Sequence, residues 1–187
     1  MKRKQLINIV LILSIIFSFI ELLDPKKSNS EAINDNQIEF QNIYQNYPNK
    51  ISGIAKVTDG DSIKINKEPI RLLEIDAPEI KQKCFDKDNI QYQCGQNSYN
   101  FLFNLVDGKN INCFYKEKDI YNRYLGYCFD DNILINKEIL KSGNAVIYNY
   151  SASSKSFIEA EEQAKNQNIG IWQGKFILPK NYRKMKK

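Results

Sequence analysis

A regular alternation of apolar and polar residues, interrupted by two turns, constrains the fold more than any other feature of this sequence. The alternation begins at Ile51 and stops at a turn formed by Asp59-Gly60. It resumes over 63–65 and, after a second turn at 66–68, continues over 70–75. The sequence therefore predicts a three-stranded antiparallel meander.

The predicted meander carries acidic residues at the ends of its strands. Asp61 stands at the start of the second strand, and Asp76 stands at the end of the third. Neighbouring antiparallel strands bring such ends to one edge of a sheet. We therefore expect the two carboxylates to lie close together.

The remainder of the chain mixes helices with further strands instead of alternating them strictly. This arrangement predicts an α+β fold built on an antiparallel barrel. Ser153 or Ser154 is the expected N-cap of the last helix, whose Phe157, Ala160, Glu161 and Ala164 share one face. The other expected elements are a helix over 98–106, strands over 111–116 and 124–130, a helix over 135–142 and an extended stretch over 145–150.

The ends of the chain differ in composition from its centre. Lys2-Arg3-Lys4 precede an apolar run over 6–20, which is typical of an export signal, with a buried core helix as the alternative. We therefore divide the chain into a signal peptide or N-terminal membrane anchor, a polar linker, one folded domain and a basic tail. Their ranges are 1–23, 24–50, 51–178 and 179–187.

The apolar run indicates where the domain is located. With positive charge before it, the rest of the chain is expected outside the cytoplasm, whether secreted, periplasmic or tethered to a membrane through 6–20. The basic tail is expected to be solvated and frayed, with a weak grip on nucleic acid or anionic lipid as the alternative. Its charged residues are Lys180, Arg183, Lys184, Lys186 and Lys187.

One cysteine pair follows from hairpin geometry. If residues 111–130 form a hairpin with a two-residue turn at 120 and 121, Cys113 and Cys128 face each other across it. The sequence therefore predicts a Cys113–Cys128 disulfide.

The other two cysteines, Cys84 and Cys94, enclose a short polar loop, which a second disulfide would close. An even cysteine count together with an export signal is typical of disulfides formed in an oxidising compartment. A structural zinc site is the alternative, but the cysteines lack the usual CxxC spacing and the chain has no histidine to assist them.

The absence of histidine restricts the chemistry that the chain can perform. It excludes Ser-His-Asp and Cys-His nucleophile systems and HExxH zinc sites. Any general base must be a carboxylate, a lysine, a tyrosine or a cysteine.

A cluster of charged residues lies around the breaks in the meander: Asp59, Asp61, Asp76 and Glu79, with Arg71 between them. Paired carboxylates suit a cation of the Ca²⁺ type, and an arginine suits an anionic oxygen. Phosphate needs both, so the cluster indicates phosphodiester chemistry. The alternatives are that Asp-Gly-Asp is an ordinary hairpin turn and that Arg71 makes a structural ion pair.

Three blocks of sequence together resemble the staphylococcal nuclease (thermonuclease) family over roughly residues 51–175. They lie at 57–62 (VTDGDS), 71–79 (RLLEIDAPE) and 119–127 (DIYNRYLGY). The resemblance implies a five-stranded antiparallel OB-fold barrel with three helices. It also implies Ca²⁺-dependent endonucleolytic cleavage of DNA and RNA. Tyrosines in a basic groove suit the stacking of single-stranded bases, so we expect single strands to be preferred, and we expect the chain to be a monomer.

The resemblance further implies a role for each residue of the charged cluster. Asp61 and Asp76 would bind Ca²⁺ through their carboxylates and Ala77 through its backbone carbonyl. Asp59 would support this metal site without binding the ion directly, and Glu79 would activate or orient the attacking water.

The remaining implied site residues contact the substrate. Arg71 and Arg123 would hold the phosphate and stabilise the charge that builds on its oxygens. Tyr121, Tyr148 and Tyr150 match positions that line the nucleotide pocket of the family, with ordinary barrel packing as the alternative for the last two.

Two residues depart from the family pattern in the third block. Ile120 replaces a lysine that helps to grip a terminal phosphate, and Asn122 replaces a glycine. Asparagine also enters left-handed conformations, so we expect it to be tolerated. Two other functions stay open at this point: a catalytically silent nucleic-acid-binding OB-fold module and a Ca²⁺-stabilised adhesion module.

Overall fold

The computed structural model describes residues 37–186. The elements in chain order are α1 (37–46), β1 (Asn49–Asp59), β2 (Ser62–Ile65), β3 (Glu68–Leu72), β4 (Ile75–Asp76), β5 (Cys84–Phe85), β6 (Gln91–Tyr92), α2 (Cys94–Val106), β7 (Asn110–Lys118), β8 (Tyr124–Asp130), β9 (Ile133–Leu134), α3 (Ile135–Lys141), β10 (Val146–Ile147), α4 (Lys155–Gln167), a 3₁₀ turn (Gly170–Gln173) and α5 (Pro179–Met185).

Five strands close into the barrel that the sequence predicts. The order is β3-β2-β1-β7-β8, and β8 pairs again with β3 to complete the circle. The predicted meander forms β1, β2 and β3, and its alternating residues fill the barrel, with Ile63, Ile65, Ile70 and Leu72 all buried. The α+β barrel of OB type is therefore confirmed.

One pairing in the barrel differs from the antiparallel arrangement that we expected. β3 and β8 run parallel, with Ile70 opposite Tyr124, because a long crossover containing α2 and β7 connects them in place of a hairpin. Asn136 lies at this seam, where its amide nitrogen donates to the carbonyls of Leu73 (2.9 Å) and Gly126 (3.1 Å). Four pairings around the barrel are antiparallel and one is parallel.

The third strand of the meander ends earlier than the alternation predicts. β3 stops at Leu72, and Glu74 adopts a left-handed conformation with φ 66°. Two bonds hold Glu74 there: its side chain accepts from the hydroxyl of Tyr127, and its carbonyl accepts from the amide of Tyr148 at 2.8 Å. Asp76 consequently lies on the separate strand β4, which pairs with β10.

The hairpin of β7 and β8 has the predicted register but a longer turn. Cys113 lies opposite Cys128, and the two form a disulfide as expected. The register shifts between Tyr115 and Lys118, so that the connection is the loop 119–123 instead of a two-residue turn at 120 and 121. A bulge on one strand accounts for this difference because it adds an unpaired residue.

The last predicted helix forms with its expected cap and buried face. The hydroxyl of Ser154 accepts from the amide of Phe157 at 3.4 Å at the start of α4. The residues of the predicted face are all buried: Phe157, Ala160, Glu161 and Ala164. Helix α2 begins at Cys94, four residues before the predicted start at Ser98.

A second, smaller core surrounds the Cys84–Cys94 disulfide, which also forms as predicted. Val146 and Ile171 complete this buried cluster, and aromatic residues of the C-terminal segment pack against it. Phe85 and Lys175 exchange backbone hydrogen bonds of 2.8 and 2.9 Å. The disulfide loop therefore fixes the segment that leads into α5.

The N-terminal segments predicted before the domain are described only in part. The signal or anchor at 1–23 and the linker residues 24–36 lie outside the described residues. The rest of the linker is helical over 37–46 and joins the barrel from Asn49, where Tyr47 packs edge-on against Tyr127 at 4.8 Å. None of the helices described within 37–186 is long and apolar enough to cross a membrane.

Candidate active site

Arg71 of β3 joins the two carboxylates that the meander was expected to bring together. Its guanidinium pairs with the carboxylate of Asp61 and donates to Asp76 at 2.8 Å and to the carbonyl of Ile75 at 3.3 Å. Both aspartates are almost completely buried, with exposed fractions of 2% and 1%. An arginine in an apolar strand is costly unless it faces such partners, so this contact explains why the barrel tolerates it.

Two further hydrogen bonds hold the Asp61 carboxylate in position. Its carboxylate accepts from the amide of Ala77 at 2.8 Å and from the hydroxyl of Ser62 at 3.0 Å. Burial raises the pKa of Asp61, and the Arg71 guanidinium opposes that rise. Ala77 thus contacts the cluster through its N–H, whereas its carbonyl is the predicted ligand.

Asp59 lies at the edge of the same cluster. Its carboxylate accepts from the amide of Gly60 at 2.8 Å. Burial, with the negative charges of Asp61 and Glu79, raises its pKa to about 6. Four carboxylates in one region therefore repel one another, and their mutual charge makes the cluster attractive to cations.

Glu79 stands on a loop that two neighbours fix. The backbone N–H of the buried Gln82 donates to the Glu79 carbonyl at 2.6 Å, and its side-chain oxygen accepts from the Glu79 N–H at 3.3 Å. The first turn of α2 presses against the same carbonyl, because a Cβ added to Gly95 would lie 1.7 Å from it. The backbone of Glu79 is held tightly, while its side chain is 34% exposed.

Arg183 of α5 completes the cluster, and the sequence analysis missed it. Its guanidinium contacts both oxygens of Asp76 at 2.8 and 3.0 Å and Glu79 at 2.9 Å. Burial lowers the pKa of Arg183, but its two carboxylate partners raise it more. A sequence signal for this helix exists, since Pro179 suits the first position of a helix.

Arg123 lies in the loop 119–123, which Asp119 organises. The Asp119 carboxylate accepts from the amides of Tyr121 and Arg123 at 2.9 and 3.0 Å and pairs with the Arg123 side chain at 2.7 Å. Burial raises the pKa of Asp119, but these hydrogen bonds and the Arg123 charge lower it by more, so the pKa lies below its ordinary value. Asn122 has φ 64°, which confirms that asparagine takes the left-handed position.

Among the contacts described for residues 37–186, none joins Arg123 to Arg71 or to the aspartates that Arg71 binds. Instead its guanidinium lies 5.5 Å from the ring centre of Tyr121. Arg71 of β3 pairs with Leu125 of β8, and Arg123 lies two residues before Leu125, in the loop that leads into β8. The two arginines therefore occupy the same end of the barrel.

The three candidate tyrosines have exposed rings, with exposed fractions of 68% for Tyr121, 53% for Tyr148 and 49% for Tyr150. The Lys180 ammonium lies 5.3 Å from the ring centre of Tyr148, and Lys165 donates to the Tyr150 hydroxyl at 2.8 Å. Exposed aromatic rings beside cations are typical of surfaces that stack nucleic-acid bases.

The fold and this cluster together define an OB-type barrel protein with buried carboxylates and arginines at one end of the barrel. Residues 69–174 match the family described as staphylococcal nuclease homologue, and the chain belongs to that family.

Named relatives support this assignment. The chain is 34% identical over 140 residues to an uncharacterized endonuclease of Haemophilus influenzae, which covers 72% of this chain and 73% of the relative. It is 35% identical over 125 residues to the succinoglycan biosynthesis protein ExoI of Rhizobium meliloti, covering 65% of this chain and 64% of that protein. A probable staphylococcal-like nuclease of rice, CAN3, is 30% identical over 112 residues, covering 60% and 27%.

Proposed function

We propose that the domain at 51–178 is an endonuclease that hydrolyses phosphodiester bonds of DNA and RNA with Ca²⁺ as its cofactor. Family membership and the endonuclease and nuclease names of two relatives support this function. The structural observation that carries the proposal is the cluster in which Arg71 binds Asp61 and Asp76 with Glu79 beside them. Carboxylates that bind a metal ion and guanidinium groups that stabilise charge on phosphoryl oxygens are a combination that catalyses phosphoryl transfer.

The chemistry of the donors fits Ca²⁺, which prefers carboxylate and carbonyl oxygens. The residues that would hold it are Asp61, Asp76 and the carbonyl of Ala77, with Asp59 supporting them. When bound, the cation would polarise the phosphoryl oxygens. Within residues 37–186 no three acidic or cysteine side chains are arranged to hold a metal ion, and guanidinium groups contact the Asp61 and Asp76 oxygens.

The residues of the chain itself would divide the remaining work. Glu79 orients or deprotonates the attacking water, and its fixed backbone limits the search for the productive position. Arg71 and Arg123 hold the phosphate and stabilise the charge on its oxygens. Tyr121, Tyr148 and Tyr150 stack the bases of a single strand, each contact contributing roughly 1–3 kcal/mol.

We further propose that the domain acts as a monomer outside the cytoplasm. The two disulfides support an oxidising compartment. The apolar run at 6–20 would serve as the export signal or as a membrane tether.

The proposed activity is tested by incubating the purified protein with single-stranded DNA in Ca²⁺ or in EGTA. Glu79→Gln and Arg71→Lys should each lower the cleavage rate by about 10²- to 10³-fold, since each removes one group that stabilises or activates the reacting atoms. Arg71→Lys keeps the positive charge between the aspartates but removes the planar fork.

A matched control is Glu159→Gln, because Glu159 is an exposed glutamate on α4 that pairs with Lys155. It should leave the cleavage rate unchanged. Cleavage that continues in EGTA, or that is unaffected by Glu79→Gln, contradicts the proposed mechanism. Binding of DNA without cleavage by the wild type identifies instead a silent nucleic-acid-binding module.

A further inference from the structure

One face of α5 covers the candidate active site. Lys180 and Arg183 are three residues apart and therefore lie on the same side of the helix. Arg183 reaches Asp76 and Glu79, and Lys180 lies over the ring of Tyr148. This face therefore contacts both the acidic cluster and one tyrosine proposed to stack a base.

Contacts on both sides of its start hold α5 in this position. The Gln82 side chain donates to the carbonyl of Ile177 at 2.6 Å, and the Tyr182 hydroxyl donates to the carbonyl of Lys81 at 3.1 Å. Pro179 is buried at the first turn. Gln82 thus fixes both the Glu79 loop and the segment that leads into the helix carrying Arg183.

The Arg183 guanidinium occupies both carboxylate oxygens of Asp76, one of the proposed Ca²⁺ ligands. One of these oxygens also accepts from Arg71, and Arg183 binds Glu79 as well. A planar guanidinium that forks across carboxylates makes strong, directional hydrogen bonds. A second cation at Asp76 would meet the same oxygens and a like charge.

We propose that Arg183 is an internal counter-ion that competes with Ca²⁺ for Asp76, so that its side chain must withdraw from Asp76 and Glu79 before the cation binds. This inference rests on the proposed function only in naming Ca²⁺ as the competing cation. The closed arrangement neutralises the buried carboxylates when no cation is present. It also keeps the Lys180 ammonium beside the ring of Tyr148.

Competition of this kind weakens the observed cation affinity by the fraction of open molecules. If the closed form is favoured by about ten to one, removal of the guanidinium tightens Ca²⁺ binding by about ten-fold. Arg183→Gln should therefore bind Ca²⁺ about ten-fold more tightly than the wild type in isothermal titration calorimetry. Arg183→Lys, which keeps a charge but loses the fork, should fall between the two.

Lys184→Gln is the matched control, because it removes the same charge from an exposed side chain one residue along the helix. Salt at physiological strength screens exposed charges beyond about 8 Å, so this variant should change Ca²⁺ affinity by less than about two-fold. The difference between the two glutamine variants then reports the direct competition.

A second measurement follows the helix itself in the wild-type protein. Addition of saturating Ca²⁺ should increase amide hydrogen exchange over 179–185, because α5 loses its contact with Asp76 and Glu79. Exchange over 135–141, in α3, serves as the internal reference and should not change. This measurement does not depend on the folding of any variant.

The outcomes separate the two proposals. Equal Ca²⁺ affinity in the wild type and Arg183→Gln, no Ca²⁺ binding by either, or unchanged exchange of α5 at saturation overturns the competition. If the wild type cleaves DNA with Ca²⁺ under those results, the proposed nuclease function stands. Tighter binding by Arg183→Gln with no cleavage by any variant supports the competition and refutes the nuclease function.

Discussion

Replacing Gly95 with alanine tests whether α2 positions the loop that carries Glu79. The new methyl group would lie 1.7 Å from the Glu79 carbonyl oxygen and 2.6 Å from its carbonyl carbon. Ordinary contacts of a Cβ begin at 3.4 Å, so helix and loop would have to separate by about 1.7 Å. Both partners are backbone, which cannot rotate away as a flexible side chain does.

The expected stability change has two opposing parts. Alanine gains roughly 0.5–1 kcal/mol over glycine within a helix, whereas forcing extra volume into a packed contact costs about 1–3 kcal/mol. The net loss should be about 1–2 kcal/mol in the free energy of unfolding. A displacement of about 1 Å at a residue that orients water can lower the rate about 10²-fold.

Urea unfolding measures the first quantity, and cleavage of single-stranded DNA at saturating Ca²⁺ measures the second. Asn97→Ala is the control, because it introduces alanine at an exposed position two residues along the same helix. It should lose neither stability nor activity. If Gly95→Ala unfolds within 0.5 kcal/mol of the wild type, or cleaves within about two-fold of its rate, the loop is not positioned by this contact.

Two further predictions concern stability alone. The double variant Cys113→Ala/Cys128→Ala removes a cross-link between residues 15 apart and should lower the free energy of unfolding by about 3 kcal/mol in urea, and a loss below about 1 kcal/mol would contradict this. Burial, together with Glu74, raises the pKa of Tyr127, so above pH about 10 the unfolded chain releases a proton that the folded chain keeps. Wild-type stability should then fall by about 1.4 kcal/mol per pH unit more steeply than that of Tyr127→Phe, and parallel curves would refute the assignment.

Local patterns predicted much of the barrel, because the alternation of apolar and polar residues along the sequence is enough to locate its strands. The period-two alternation located β1 to β3, and the hairpin register placed Cys113 opposite Cys128. The details of two turns were not predicted, because the bulge near Lys118 and the left-handed conformation of Glu74 depend on packing that the alternation does not encode. Such local departures change where a strand ends without changing which face it buries.

The candidate site was predictable only where its residues lie on the meander. Asp61 immediately precedes Ser62, which pairs with Arg71 across β2 and β3, so the register brings Asp61 and Arg71 together. Asp76 lies on β4, a few residues after β3 ends, and Arg71 reaches it across that short connection. Arg183 comes from the far end of the chain, in a segment whose lysines favour a solvated tail. Its contact with Asp76 is a tertiary one, and no local pattern encodes it.

The parallel seam between β3 and β8 has a consequence for how the protein reaches its native state. The meander and the β7–β8 hairpin each need only short chain closures, whereas the pairing of Ile70 with Tyr124 joins distant segments and is entropically slower. We infer that the two halves form early and that the seam closes late, together with the docking of Asn136 between them. Arg71 lies on one half and Arg123 on the other, so a partly folded chain keeps apart the two arginines that we propose to bind phosphate until the halves have joined.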